Sequence, residues 1–105
     1  MANRKLERSR AVPVEWHFPD DIVSRYSTNL VVQHTEHEFS ISFFEVRPPI
    51  ILGSPEQVQA ALQRIESIPA VCVARIIVAA ERMPEFVRVL QDNLTQYQAK
   101  SGTSE

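Results

Sequence analysis

Residues 70–97 read AVCVARIIVAAERMPEFVRVLQDNLTQY, and this stretch decides the fold. Its first half, 71–78, is a nearly continuous apolar run rich in β-branched residues, which predicts a strand covered on both sides. Strict alternation would place Cys72, Ala74, Ile76 and Val78 on one face and Val71, Val73, Arg75 and Ile77 on the other. Arg75 interrupts the second face. A guanidinium is not buried unpaired, so that face is expected to be thinly covered, to lie near an edge, or to meet a carboxylate. The second half repeats apolar residues at Met83, Phe86, Val87, Leu90, Leu94 and Tyr97, the spacing of one helical face. Pro84 suits a first helical turn and Glu85 the positive end of the helix dipole. The pattern stops after Lys100 in SGTSE.

Upstream, Ser54-Pro55-Glu56 announces another helix through its cap, first-position proline and first-turn acid. Val58, Ala61, Leu62 and Ile65 supply the apolar face, and Ser67-Ile68-Pro69 stops it. Residues 28–46 predict a hairpin. Leu30, Val31 and Val32 form its first strand, and Phe39, Ile41 and Phe43 line one face of its second. Ser40, Ser42 and Glu45 fall largely on the other face, with a polar connection from His34 to His37. Phe44 breaks the alternation, so the nominally polar face carries a large aromatic as well. Val12, Val14, Trp16 and Phe18 alternate with Pro13, Glu15, His17 and Pro19. This period-two pattern predicts a further strand, confined to a sheet edge by its prolines. Its Trp16–Phe18 side suits either the core or an interface. Asp20-Asp21 is expected to cap a short helical turn through Tyr26.

The 105 residues make one domain, with a net charge of −2 that argues against a dedicated nucleic-acid binder. A basic arm at 1–11, with Arg4, Lys5, Arg8 and Arg10 against Glu7, is expected to be a disordered terminus, the single domain to span 12–98, and 99–105 to be a disordered tail. The one cysteine, Cys72, lies in the most apolar run and reads as a core residue of a reduced compartment. MANRKLERSR lacks the apolar segment of a signal peptide, and no run approaches a membrane span, so a cytoplasmic protein away from membranes is expected.

Chemistry is sparse. The chain has two glycines, Gly53 and Gly102, and no phosphate-cradling loop, nucleophile elbow, HExxH or paired-cysteine motif. No cofactor and no catalytic residue is expected. His34, Glu36, His37 and Glu38, with His17, raise the question of a metal site, but a hairpin tip fans such side chains into water, and a solvated turn is the expectation.

Several of these segments, in order, carry a resemblance: Pro19-Asp20-Asp21, Tyr26-Ser27-Thr28-Asn29, Glu38-Phe39-Ser40-Ile41-Ser42-Phe43, Val73-Ala74-Arg75-Ile76-Ile77-Val78, and the Pro84-Glu85 helix ending at Tyr97. Together they resemble a small prokaryotic family known only as a domain of unknown function, number 3467. The resemblance covers most of residues 19–98. It implies a hairpin and a strand leading into a proline-started terminal helix, and it brings no catalytic residues. The chain departs from the pattern in its longer middle, around the 54–66 helix, and in Met83 where a capping serine would stand. In layout alone the chain is similar to the SecB export chaperones.

The expected architecture is therefore α+β: a three- or four-stranded, mainly antiparallel sheet with two helices packed on one face. Two helices cover one side only, whereas the strands are apolar on both. That mismatch predicts a homo-oligomer, in the first instance a dimer, with Trp16, Phe18, Phe44 and Arg75 at the self- or partner interface. Three functions follow as expectations: a non-catalytic oligomeric interaction module, a chaperone-like or adaptor protein holding extended apolar peptides, and, least favoured, a metal protein or enzyme.

Overall fold

β1 (Asn29–His34) and β2 (Glu38–Val46) pair antiparallel, with Leu30 opposite Phe43, Val32 opposite Ile41 and His34 opposite Phe39. β3 (Ala70–Ala79) joins the other side of β2, again antiparallel, giving a three-stranded sheet of order β1-β2-β3. The two helices are α1 (Pro55–Gln63) and α2 (Met83–Ser101), the latter entered through a 3-10 turn at Ala80–Arg82. The fold is α+β as the sequence predicts. The computed structural model describes residues 11–102, so the basic arm, apart from Ala11, and the last three residues lie outside the described residues.

Two sequence expectations are corrected within the sheet. Residues 12–18 form no strand: they join no ladder, and Trp16 and Phe18 are 85% and 92% exposed. A strand exists only where a neighbour accepts its ladder of hydrogen bonds, and among the described residues no segment pairs with this one. After it, Ile22 N–H closes a turn onto the Pro19 carbonyl (3.1 Å), without the helix expected there. The second correction concerns parity in β3. Phe43 lies opposite Ala74 but Phe44 lies opposite Cys72, so Val73 is the extra residue of a bulge. The bulge moves Cys72 off the Ala74–Ile76–Val78 face and onto the face of Phe44 and Arg75. An unbroken apolar run carries no mark of such a slip.

Both helices begin as their sequences require. Ser54 Oγ accepts from the Gln57 N–H (3.2 Å) while the Gln57 side chain accepts from the Ser54 N–H (2.8 Å), a reciprocal capping box with Pro55 in the first turn. Gly53 makes room for it: its φ is +138°, and a Cβ there would stand 2.5 Å from Gln57 Oε1. α2 has no side-chain cap; the 3-10 turn leads into it instead, Glu85 pairs with Arg88 one turn on, and Gly102 closes it in the left-handed conformation. Residues 99–101, assigned to the tail on sequence grounds, are the last part of this helix.

The expected burial of the sheet by the helices is not found. No residue of either helix is buried, and Phe86, Val87, Leu90, Leu94 and Tyr97 leave the apolar stripe of α2 exposed. Among the described residues Val78 is the one buried apolar side chain, at 4% exposure. The Cα radius of gyration is 21.9 Å, where a compact chain of this length has about 13 Å.

Candidate interaction surface

The sheet has two distinct faces, and the register assigns every residue to one of them. The first carries Leu30, Val32 and His34 from β1, Phe39, Ile41 and Phe43 from β2, and Ala74, Ile76 and Val78 from β3. Apart from the His34 ring, tilted against Phe39 at 5.5 Å, this part of the face is apolar; at its end Glu45, expected on the side of Ser40 and Ser42, shares the parity of Phe43 and lies opposite Val71. Leu30, Val32 and Ile76 remain exposed on it. The second face carries Asn29, Val31 and Gln33 from β1, Glu38, Ser40, Ser42 and Phe44 from β2, and Cys72, Arg75 and Ile77 from β3. A central strand with serines on this side would suit a solvated face, but Phe44, Val31 and Ile77 flank them with apolar area.

Arg75 resolves one sequence question. It sits on the edge strand, and its Nε donates to Ser42 Oγ at 3.3 Å. That contact covers Ser42, which is 3% exposed, while the guanidinium itself reaches water and meets no carboxylate among the described residues. Of the predicted interface residues, the structure brings Phe44 and Arg75 onto one face, and it leaves Trp16 and Phe18 apart from the sheet on the exposed segment 11–28.

Sequence patterning assigns no role to Ser27-Thr28-Asn29, which precede and open β1. They clasp the end of β2 next to Phe44. Thr28 N–H donates to the Phe44 carbonyl (2.8 Å), Val46 N–H donates to Thr28 Oγ1 (2.9 Å), and Ser27 Oγ reaches the same Phe44 carbonyl (3.1 Å). The hydroxyls extend the hairpin beyond its last backbone pair and fix the backbone that carries Phe44. Thr28→Val, which keeps the shape and removes the acceptor, is expected to cost about 1 kcal/mol. Thr28→Ser should retain most of it. Urea denaturation of the two variants checks this, and equal midpoints for Thr28→Val and the wild type would contradict it.

The histidines do not assemble into a centre. His17 lies 3.9 Å from Glu15 and His37 lies 3.7 Å from Glu36, each a local pair in water. No three His, Cys, Asp or Glu side chains converge among the described residues. A depression of about 300 Å³ at the hairpin tip is lined by Gln33, His34, Thr35, Glu38 and Ser40, with a single carboxylate and a single imidazole. No helix among the described residues is long and apolar enough to cross a membrane.

These features define a small α+β domain whose apolar surfaces, rather than a cleft, are its most developed property. The chain belongs to the family described as "Protein of unknown function (DUF3467)", whose model matches residues 1–103. Comparison with curated proteins and with solved structures gives no match.

Proposed function

We infer that the chain is a non-catalytic, oligomeric protein-interaction module of the cytoplasm, a homodimer in its simplest form. The observation that carries this reading is the sheet, apolar on one face, mixed apolar and polar on the other, and covered on neither by its own helices. The chain exposes 9947 Å², whereas a compact monomer of 12.0 kDa exposes about 6,000 Å². The difference of about 4,000 Å² exceeds the roughly 1,000–2,500 Å² that each partner of an obligate homodimer buries. Uncovered surface on this scale, with Leu30, Val32, Ile76 and Ile77 exposed in it, is a standing drive to associate, and a second copy is the partner always present at equal concentration.

Solution mass by light scattering across a range of concentrations tests the reading. A stable multiple of the chain mass supports it, and a monomer at every concentration overturns it. The exposure of Trp16 and Phe18 supports a second reading, in which the aromatic side chains, Phe44 among them, hold extended apolar peptides of another protein. Adding a permanently unfolded client to the same measurement separates the two: a rise in mass favours the second reading, and an unchanged oligomer the first.

A further inference from the structure

We propose that residues 12–18 of one copy form a fourth strand on the free edge of β3 in a second copy, so that the dimer is made by reciprocal exchange of these arms. The proposal deepens the homodimer reading and rests on it.

The arm has the backbone of an edge strand with one usable side. In a strand, the N–H and C=O groups of alternate residues point to opposite edges. Val12, Val14, Trp16 and Phe18 all carry an N–H and address one edge. Pro13 and Pro19 fall on the other, where the missing donors block any further strand. The side chains of Glu15 and His17, two residues apart, already meet on one side, 3.9 Å apart, as alternation along a strand would place them. Yet every residue from 11 to 28 is exposed, so the arm has no place in its own chain.

β3 offers the matching edge. It is an outer strand of ten residues with no proline or lysine, AVCVARIIVA, so one row of its backbone groups is unpaired by the sheet. Side-chain parity then selects it over β1. With Val14, Trp16 and Phe18 laid beside Ala74, Ile76 and Val78, Glu15 and His17 fall on the face of Arg75, the guanidinium that meets no carboxylate among the described residues. The corresponding face of β1 presents Asn29, Val31 and Gln33, with no cation. Exchange in trans is favoured by topology. The arm leads directly into β1, at the opposite edge of the sheet from β3, and to reach β3 of its own chain residues 19–28 would have to cross a sheet face.

The test is a charge-reversal exchange in the full-length chain, read as the dimer dissociation constant by light scattering or sedimentation. Glu15→Arg and Arg75→Glu should each weaken the dimer about tenfold, since each sets like charges together at two symmetric places. An equimolar mixture of the two single variants should restore wild-type association. In the mixed dimer each arm meets the opposite charge on its partner, whereas within one chain the like charges would stay together. Val14→Pro, which removes a donor on the pairing edge, should weaken the dimer further, and His17→Pro, on the blocked edge, should change it less than about threefold. Single variants that weaken the dimer without rescue on mixing overturn exchange in favour of an arm folded on its own chain. A wild-type dimer indifferent to all four changes overturns the arm's role and leaves the homodimer standing, and a monomeric wild type removes both.

Discussion

Phe44→Glu is expected to dissociate the wild-type oligomer while leaving the hairpin folded. Phe44 is half-buried in β2, opposite Asn29 on one side and Cys72 on the other, on the face shared with Arg75 and Ile77. In a lone chain a glutamate there loses cross-strand contact worth under about 1 kcal/mol and keeps access to water. In a dimer that covers this face, each copy contributes one carboxylate to a dry surface. Aromatic anchors at such positions cost about 2 kcal/mol or more each when removed, so two symmetric copies imply a roughly thousandfold weaker association. The measurement is solution mass beside far-UV circular dichroism. A loss of mass with an unchanged spectrum is the expected pair of results. An oligomer of undiminished mass would place Phe44 outside the assembly surface and restrict the contact to the Leu30–Ile41–Ile76 face.

What could be read from the sequence, and what could not, divides along the range of the interactions. Helix α1 was legible because its signals are local: Ser54, Pro55 and Gln57 lie within one turn and satisfy one another's backbone groups. The hairpin was legible because Phe39, Ile41 and Phe43 alternate against Ser40 and Ser42, and parity survives into the structure. In β3 nothing polar besides Arg75 marks parity, so the bulge at Val73, which turns Cys72 to the other face, left no trace in the residue types. The arm shows the opposite case. Its alternation is as clean as any in the chain, yet alternation states only that a strand fits there and not which edge receives it. The same limit applies to the stripe of α2, whose spacing specifies an apolar side without naming what covers it. The interface candidates were therefore visible as residue types, whereas the sharing of one face by Phe44 and Arg75 required the register. The role of Ser27 and Thr28 could have been suspected from two hydroxyls next to a strand start, but their partners lie 16 to 18 residues away.

Neighbouring residues on β3 separate folding from assembly, and their aspartate variants are expected to fail in different ways. Val78 is 4% exposed on the first face, opposite Phe39, where the Ala80 N–H is held to the His37 carbonyl at 2.8 Å. An aspartate there would place a carboxylate with no cation opposite it among apolar neighbours. Uncompensated burial of a charge costs several kcal/mol, a large part of the roughly 5–15 kcal/mol that holds a small domain together. Val78→Asp should therefore lack a cooperative unfolding transition. Ile77, one residue earlier, points to the opposite face and is 52% exposed. Ile77→Asp keeps its carboxylate in water in the single chain, so the sheet should still form, with the loss appearing in association as it does for Phe44→Glu. Thermal unfolding followed by circular dichroism, with solution mass on the same samples, reads both quantities. If Ile77→Asp kept wild-type mass while unfolding as early as Val78→Asp, the second face would be part of the chain's own core and not a surface for another copy. The expected contrast, a folded but dissociated Ile77→Asp beside an unfolded Val78→Asp, follows from burial at the two positions, because one step along the strand exchanges a side chain that the chain buries for one on the opposite face that stays in water.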